Sequence, residues 1–375
     1  MLIYILVFGF SILLFWLSKH IKKNWLRRLI ILCAILVPSF LAGARDIGVG
    51  YDTSLYGASA YRWALAYDFK KYISLFRDSY LFYSVWYFLF KISGTTFWAF
   101  FTTEFVIEVL YVKAIENYSR ETKNDLWLGM ALYYFVFFTY SMSLMRQSVA
   151  IAVMLFAYTR FLKNNNYKKY FLCCIISFCI HSTALICLFI VIVYKAFDKF
   201  LKYNLYKRII LYLSSVLGVS IIIVGFDLII KWLTIFDDKY NVYNGNYGTV
   251  KGTFVSWFFF FLLFMWVICM TKLMKTKTIT AFELYSCSFG LAIFWINLVA
   301  NNSYRISFYF LSPLICLYSN CFRTNGKGIN KIQRQNSLIL SVFSLVLLCF
   351  IFYIMTVSWR MNSVYPYKST MFGIV

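Results

Sequence analysis

Ser337–Val357 reads SLILSVFSLVLLCFIFYIMTV, a run without one charged side chain. At about 1.5 Å of rise per residue, a helix of that length crosses a hydrocarbon core about 30 Å thick. Thr253–Thr271 is a second charge-free run of spanning length. Over all 375 residues, 62% are hydrophobic and 22% aromatic, where a soluble domain averages about 45–50% apolar. The fold class that follows is all-α, a polytopic integral membrane protein. With three prolines, no internal repeat, no low-complexity tract and no soluble module, residues 1–375 read as a single transmembrane domain. We expect roughly 10–12 transmembrane helices, some re-entrant or broken.

The net charge is +23. In a chain this apolar, a basic excess reads as the positive-inside bias, so the partner it implies is the lipid bilayer and no nucleic acid. The ten cysteines all lie in apolar runs and form no C-x-x-C pair. They read as small buried hydrophobes, neither a disulfide framework nor a metal site. Met1–Leu17 lacks a basic n-region and an A-x-A cleavage pattern, and reads as a first helix, not a removed signal.

Basic residues then set the expected topology. Lys19, Lys22, Lys23, Arg27 and Arg28 follow the first helix with no acidic neighbour, which predicts a cytoplasmic loop. Leu29–Ala44 would climb back out, leaving an extracytoplasmic segment at 45–79. Its charges are of both signs: Arg45, Arg62, Lys70, Lys71 and Arg77 against Asp46, Asp52, Asp68 and Asp78. Tyr80–Lys91 is short and aromatic, re-entrant or interfacial, and Phe97–Val112 crosses inward. Leu126–Leu144 and Ser148–Leu162 form a hairpin with Arg146-Gln147 at its apex. Tyr170–Tyr194 has basic flanks on both sides. It is either a broken hairpin with His181 at its tip, the reading we favour, or a crossing with one basic flank outside. Farther on, Ile209–Ile230 runs out to an outer loop at 231–252, Thr253–Thr271 runs in, and Ile279–Ala300 runs out. Ile306–Cys321 then returns, and Ser337–Val357 leaves an outer tail.

That topology collects the unusual polar residues on one side. Arg45, Asp46 and Asp52 end one helix there, Arg146-Gln147 cap a hairpin, His181 tops the broken one, and Asn301, Asn302, Tyr304 and Arg305 end another. Each has a bland reading. Arg45 at a helix end reads also as a snorkelling residue, and Asp46 and Asp52 as turn residues beside Gly48 and Gly50. A histidine bracketed by apolar residues is commonly a hydrogen-bonded core residue. Arg146 is harder to dismiss, because a guanidinium in an apolar stretch costs several kcal/mol unless an anion or polar partner meets it. Glu104 and Glu108, one helical turn apart, either pair with inner lysines or line the same cavity. Arginines clustered at an outer membrane face suit phosphate and pyrophosphate, which they bind bidentately without losing charge. A carboxylate or imidazole there would take the proton of an attacking sugar hydroxyl.

RDIGVGYDTSLY (Arg45–Tyr56), RQSVAIA (Arg146–Ala152) and IHSTAL (Ile180–Leu185) occur in the order and spacing of the EpsG family of Wzy-like exopolysaccharide polymerases, which the chain resembles. The first motif is the most specific; the other two are short. By motif the resemblance covers residues 30 to 195, and beyond that only by helix pattern; Thr183 departs from the family pattern. It implies a membrane glycosyltransferase that passes a growing glycan from undecaprenyl diphosphate to a lipid-linked repeat unit. The setting would be the outer face of the bacterial cytoplasmic membrane, the site facing the periplasm or exterior. The partners implied are the undecaprenyl-diphosphate-linked oligosaccharide and a chain-length regulator; no cofactor and no essential metal is expected, although Asp46 and Asp52 are the pair that could hold one. The roles that follow put Arg146, Arg45 and Arg305 at the diphosphate and Asp52 or His181 as base. Gln147 and Asp46 would orient neighbours, and Tyr56, Asn302 and Tyr304 would contact the sugar. The competing functions are a flippase for the same lipid-linked units, which usually shows two related halves, and a ligase that moves finished polymer.

Overall fold

In a computed structural model, the structure describes residues 1–76, 78–118, 125–197, 205–234, 248–274, 279–322 and 331–374. Among these the chain is helical with no strand, and an isolated bridge joins Ser369 and Ile374. Among the described residues, six helical segments are long and apolar enough to cross a membrane: Leu2–His20, Asn24–Ala44, Leu126–Ser143, Val250–Leu273, Ala281–Leu298 and Ser337–Ser358. The chain is thus a polytopic, all-α membrane protein. The other segments expected to cross are short, broken or charge-bearing. Residues 1–185 with 315–375 form one compact unit and residues 186–314 another.

In the larger unit, α1 (Leu2–His20) and α2 (Asn24–Ala44) are followed by a π-helical turn at Thr53–Gly57, then by α3 (Ala58–Ala66), α4 (Phe69–Ser74) and α5 (Tyr80–Ser93). The expected outer segment at 45–79 is therefore largely folded into short helices, and Arg77 lies outside the described residues. Long α6 (Phe97–Tyr118) is followed by α7 (Leu126–Leu132), a π-helical turn at Tyr133–Phe137 and α8 (Phe138–Ser143). Leu144 breaks the helix (φ −92°, ψ 46°), and α9 (Met145–Arg160) begins with Arg146 in its first turn. After α10 (Tyr167–Ile180), His181 is extended (φ −156°) and residues 182–185 form a 3-10 turn. The predicted break at His181 is thus present.

Packing follows the solvent these helices meet. On α1, Tyr4, Phe8, Ser11, Phe15 and Ser18 are buried while Leu2, Leu6, Phe10 and Leu13 are exposed; this exposed face is apolar, as lipid requires, and the hydroxyls of Ser11 and Ser18 lie on the face packed in protein. Gly43 lets α2 and α6 meet, since a Cβ there would stand 2.8 Å from the Phe101 Cβ. One end of this unit holds the ion pairs Lys19–Asp125, Arg27–Glu116 (3.7 Å) and Lys113–Glu116 (2.8 Å). The opposite ends of α2, α8, α9 and α10 carry Arg45, Ser143, Arg146 and His181. By helix length these lie about 24 Å away along α9.

The other unit contains α11 (Ile186–Ala196), α12 (Leu205–Val224), α13 (Phe226–Thr234), α14 (Val250–Leu273), α15 (Ala281–Ile293) and α16 (Tyr304–Leu311). The stretch expected to run straight from Ile209 to Ile230 instead bends by 65° between α12 and α13, at Gly225. Of the expected outer loop at 231–252, Lys231–Thr234 continue α13 and Val250–Gly252 begin α14; residues 235–247 lie outside the described residues. Helices α17 (Pro313–Cys321) and α18 (Lys331–Tyr353) close the chain, with a π-helical turn at Ile354–Ser358.

Candidate functional site

The Arg45–Tyr56 segment is shaped by backbone contacts from far along the chain. The Asp46 N–H donates to the Lys368 carbonyl (3.0 Å) and the Gly50 N–H to the Ser363 carbonyl (2.9 Å). Asp46 Oδ1 accepts from the Thr370 N–H (2.8 Å) and hydroxyl, and the Tyr367 hydroxyl donates to the Leu41 carbonyl (2.8 Å). The tail after α18 therefore straps this end of the bundle, and Asp46 spends a carboxylate oxygen on it. Gly50 has φ +100°, and a Cβ there would lie 2.7 Å from the Met142 carbonyl oxygen. Glycine suits that position both conformationally and sterically.

Arg45 is only 3% exposed. Its Nη2 reaches Thr53 Oγ1 (3.4 Å) and Met145 Sδ (3.1 Å), and the guanidinium lies over the Phe100 ring at 4.7 Å. It is enclosed by the first motif on one side and the residue before Arg146 on the other. Its Nε and Nη1 are buried without a hydrogen-bond partner.

Arg146 is accessible instead, its side chain 21% exposed. Its Nη1 pairs with Asp78 Oδ1 at 3.6 Å and donates to Ser79 Oγ at 3.3 Å. The rings of Tyr56 and Tyr83 flank the guanidinium, each 5.3 Å away. Around Tyr83 the charges of Arg146, Asp78 and Asp52 all act on the phenol; burial pushes it up to about 12 while Arg146 pulls the other way. It therefore stays a neutral donor at ordinary pH. Asp52 sits where the chain enters the π-helical turn, its N–H donating to Ser143 Oγ (3.3 Å).

His181 closes the group. Its Nδ1 accepts the Thr183 N–H (3.3 Å) and lies 2.8 Å from Thr183 Oγ1. With Nδ1 an acceptor, we infer that the neutral ring keeps its proton on Nε2. Gln147 Nε2 donates to Thr183 Oγ1 (3.5 Å), and Ser182 Oγ to Asp78 Oδ2 (3.5 Å). Thr183, which departs from the resembled pattern, thus joins the second and third motifs. Arg45, Asp52, Tyr56, Arg146, Gln147 and His181 are linked by these contacts at one end of the larger unit.

Sequence reading passed over Asp78, Ser79 and Tyr83. Asp78 registered only as part of a segment of mixed charge, and nothing local marks it as the partner of Arg146. Asn302, Tyr304 and Arg305 belong to the other unit. There Asn302 takes φ +72°, its N–H bonds Asn297 Oδ1 (2.7 Å), Tyr304 stacks on Phe294 (5.6 Å), and the Arg305 N–H bonds the Asn302 carbonyl (3.2 Å).

Residues 28–369, nearly the whole chain, match the family model described as the EpsG family. No curated protein and no solved structure matches the chain.

Proposed function

Because the chain belongs to the EpsG family, a polysaccharide polymerase-like family, we propose that it is a membrane glycosyltransferase. It would join repeat units carried on undecaprenyl diphosphate, at the outer face of a bacterial cytoplasmic membrane. The observation that carries this reading is the setting of Arg146: an accessible guanidinium between two aromatic rings, paired with Asp78, whose second oxygen meets Ser182 beside His181.

In the proposed step, a hydroxyl oxygen of the acceptor unit attacks the anomeric carbon of the donor glycan. The new glycosidic C–O bond forms as the bond from that carbon to the diphosphate oxygen breaks. Undecaprenyl diphosphate leaves with the electron pair, and Arg146 stabilises the charge developing on it. We assign the hydroxyl proton to Asp52. Asp78 is the carboxylate that gives way to the diphosphate at Arg146, and the His181 ring, with its proton on Nε2, is suited to hydrogen-bonding a sugar or phosphate oxygen. Tyr56 and Tyr83 offer aromatic faces for a sugar ring. Arg45, enclosed as it is, serves the site by holding its two motifs together, and Asp46 by anchoring the tail. Arg305, Asn302 and Tyr304 are proposed to contact the glycan.

Arg146→Ala tests this. Cells carrying it should keep the protein in the membrane yet accumulate single lipid-linked units in place of a chain-length ladder. A normal ladder would remove Arg146 from the mechanism. A reconstituted assay separates this function from a flippase, since only a polymerase elongates the units covalently.

A further inference from the structure

The turn that meets Arg146 carries a strained residue that the proposed reaction leaves without a role. Ser79 takes the left-handed conformation (φ 63°, ψ 31°), uncommon outside glycine, asparagine and aspartate. It is 2% exposed and stands at the N-cap of α5. A serine there ordinarily has an extended backbone, and its hydroxyl oxygen accepts from an N–H of the first helical turn. Ser79 makes no such bond; its Oγ accepts from Arg146 Nη1 (3.3 Å) instead. Its carbonyl accepts the N–H of Tyr83 (3.1 Å), so the same residue starts the helical turn that carries one of the two rings beside the Arg146 guanidinium. Phe76 backs that ring, stacked on it at 3.5 Å. Residues kept in sparsely populated backbone conformations cluster where a site is pre-organised.

Asp78 and Ser79 approach the same nitrogen in different ways. The Asp78 side chain is 54% exposed and 3.6 Å from Nη1, and its other oxygen meets Ser182. A carboxylate beside a guanidinium competes with a diphosphate for it and has to leave. A hydroxyl oxygen carries no net charge, so it can keep Nη1 while the diphosphate takes the remaining N–H groups. We propose that Ser79 is a positioning residue: held left-handed at the start of α5, it fixes the Arg146 guanidinium between the rings of Tyr56 and Tyr83, ready for the diphosphate that displaces Asp78. The left-handed backbone turns the hydroxyl away from the helix end and onto Arg146. This rests on the polymerase reading of the Arg146 site.

Elongation of purified lipid-linked repeat units by the full-length protein in lipid nanodiscs tests it, alongside the thermal midpoint. Ser79→Ala and Ser79→Gly both delete the hydroxyl. Both should cut kcat about 10-fold or more, the size of one hydrogen bond to a charged group. KM for the lipid-linked unit should move far less, because the charge that Arg146 meets develops as the diphosphate leaves. The two variants should part in stability. Glycine adopts the left-handed conformation without strain and alanine does not, so Ser79→Gly should melt above Ser79→Ala while elongating no faster. The proposal is overturned if either variant elongates at the parental rate. It is overturned equally if Ser79→Gly regains elongation as it regains stability, which would make Ser79 structural only, or if it melts no higher than Ser79→Ala, which would mean that no strain holds the hydroxyl in place. Arg146→Ala in the same assay separates the two levels. Normal elongation by that variant sinks the polymerase assignment, whereas its loss beside fully active Ser79 variants sinks the positioning role alone.

Discussion

Arg45 and Arg146 sit on either side of Met145 and live in opposite surroundings. The first is sealed among Thr53, Met145 and Phe100. The second stands between two tyrosine rings and pairs with an Asp78 whose side chain is 54% exposed. A guanidinium kept from water costs several kcal/mol, and what compensates it must be built in. An accessible one can exchange its carboxylate for a phosphate of the substrate. Under the proposed function, the two arginines divide the work, one holding the site together and the other meeting the ligand.

Matched substitutions break or sharpen that contrast. Arg146→Met and Arg45→Met should both lose elongation by at least about 100-fold. Only Arg45→Met should change the unfolding free energy by more than about 1 kcal/mol, because it removes a buried guanidinium together with its contacts to Thr53, Met145 and Phe100. Arg146→Met should stay within about 1 kcal/mol of the parent, as expected for a partly exposed ion pair. Denaturation midpoints measured beside elongation decide it, and equal stability losses would erase the distinction. Gly50→Ala comes next. Its Cβ would meet the Met142 carbonyl at a backbone angle that alanine disfavours, and a loss of about 1–3 kcal/mol is expected, visible as a lowered thermal midpoint; an unchanged midpoint would contradict the observed turn. The smallest effect is expected from Thr370→Val, which removes the hydroxyl donor to Asp46 at about 0.5–1.5 kcal/mol. Limited proteolysis should then cut the tail after α18 sooner. If the tail is no more sensitive than before, the strap does not depend on Asp46.

Much of the fold was legible because charge-free runs such as Ser337–Val357 admit only one solvent. The break at His181 was legible for a related reason: two basic flanks cannot both be satisfied by one straight crossing. Arg146 stood out because its sequence neighbours are apolar. The partners were another matter. Ser79 meets Arg146 across 67 positions, with its neighbour Asp78 alongside, and Thr370 reaches Asp46 across 324; no local pattern encodes such meetings. Glu104 and Glu108 were left open between inner lysines and a cavity, and the structure turns them to the tyrosines of a π-helical turn. The burial of Arg45 was equally unreadable, since a helix-end arginine with the same neighbours can also snorkel.

The central claim is that the diphosphate of the lipid carrier binds at Arg146. A cryo-EM map of the protein with undecaprenyl diphosphate tests it most directly. We expect phosphate oxygens within about 3 Å of the Arg146 guanidinium, between the rings of Tyr56 and Tyr83, with Arg45 still enclosed. A diphosphate bound elsewhere, with Arg146 still paired to Asp78, would contradict the account.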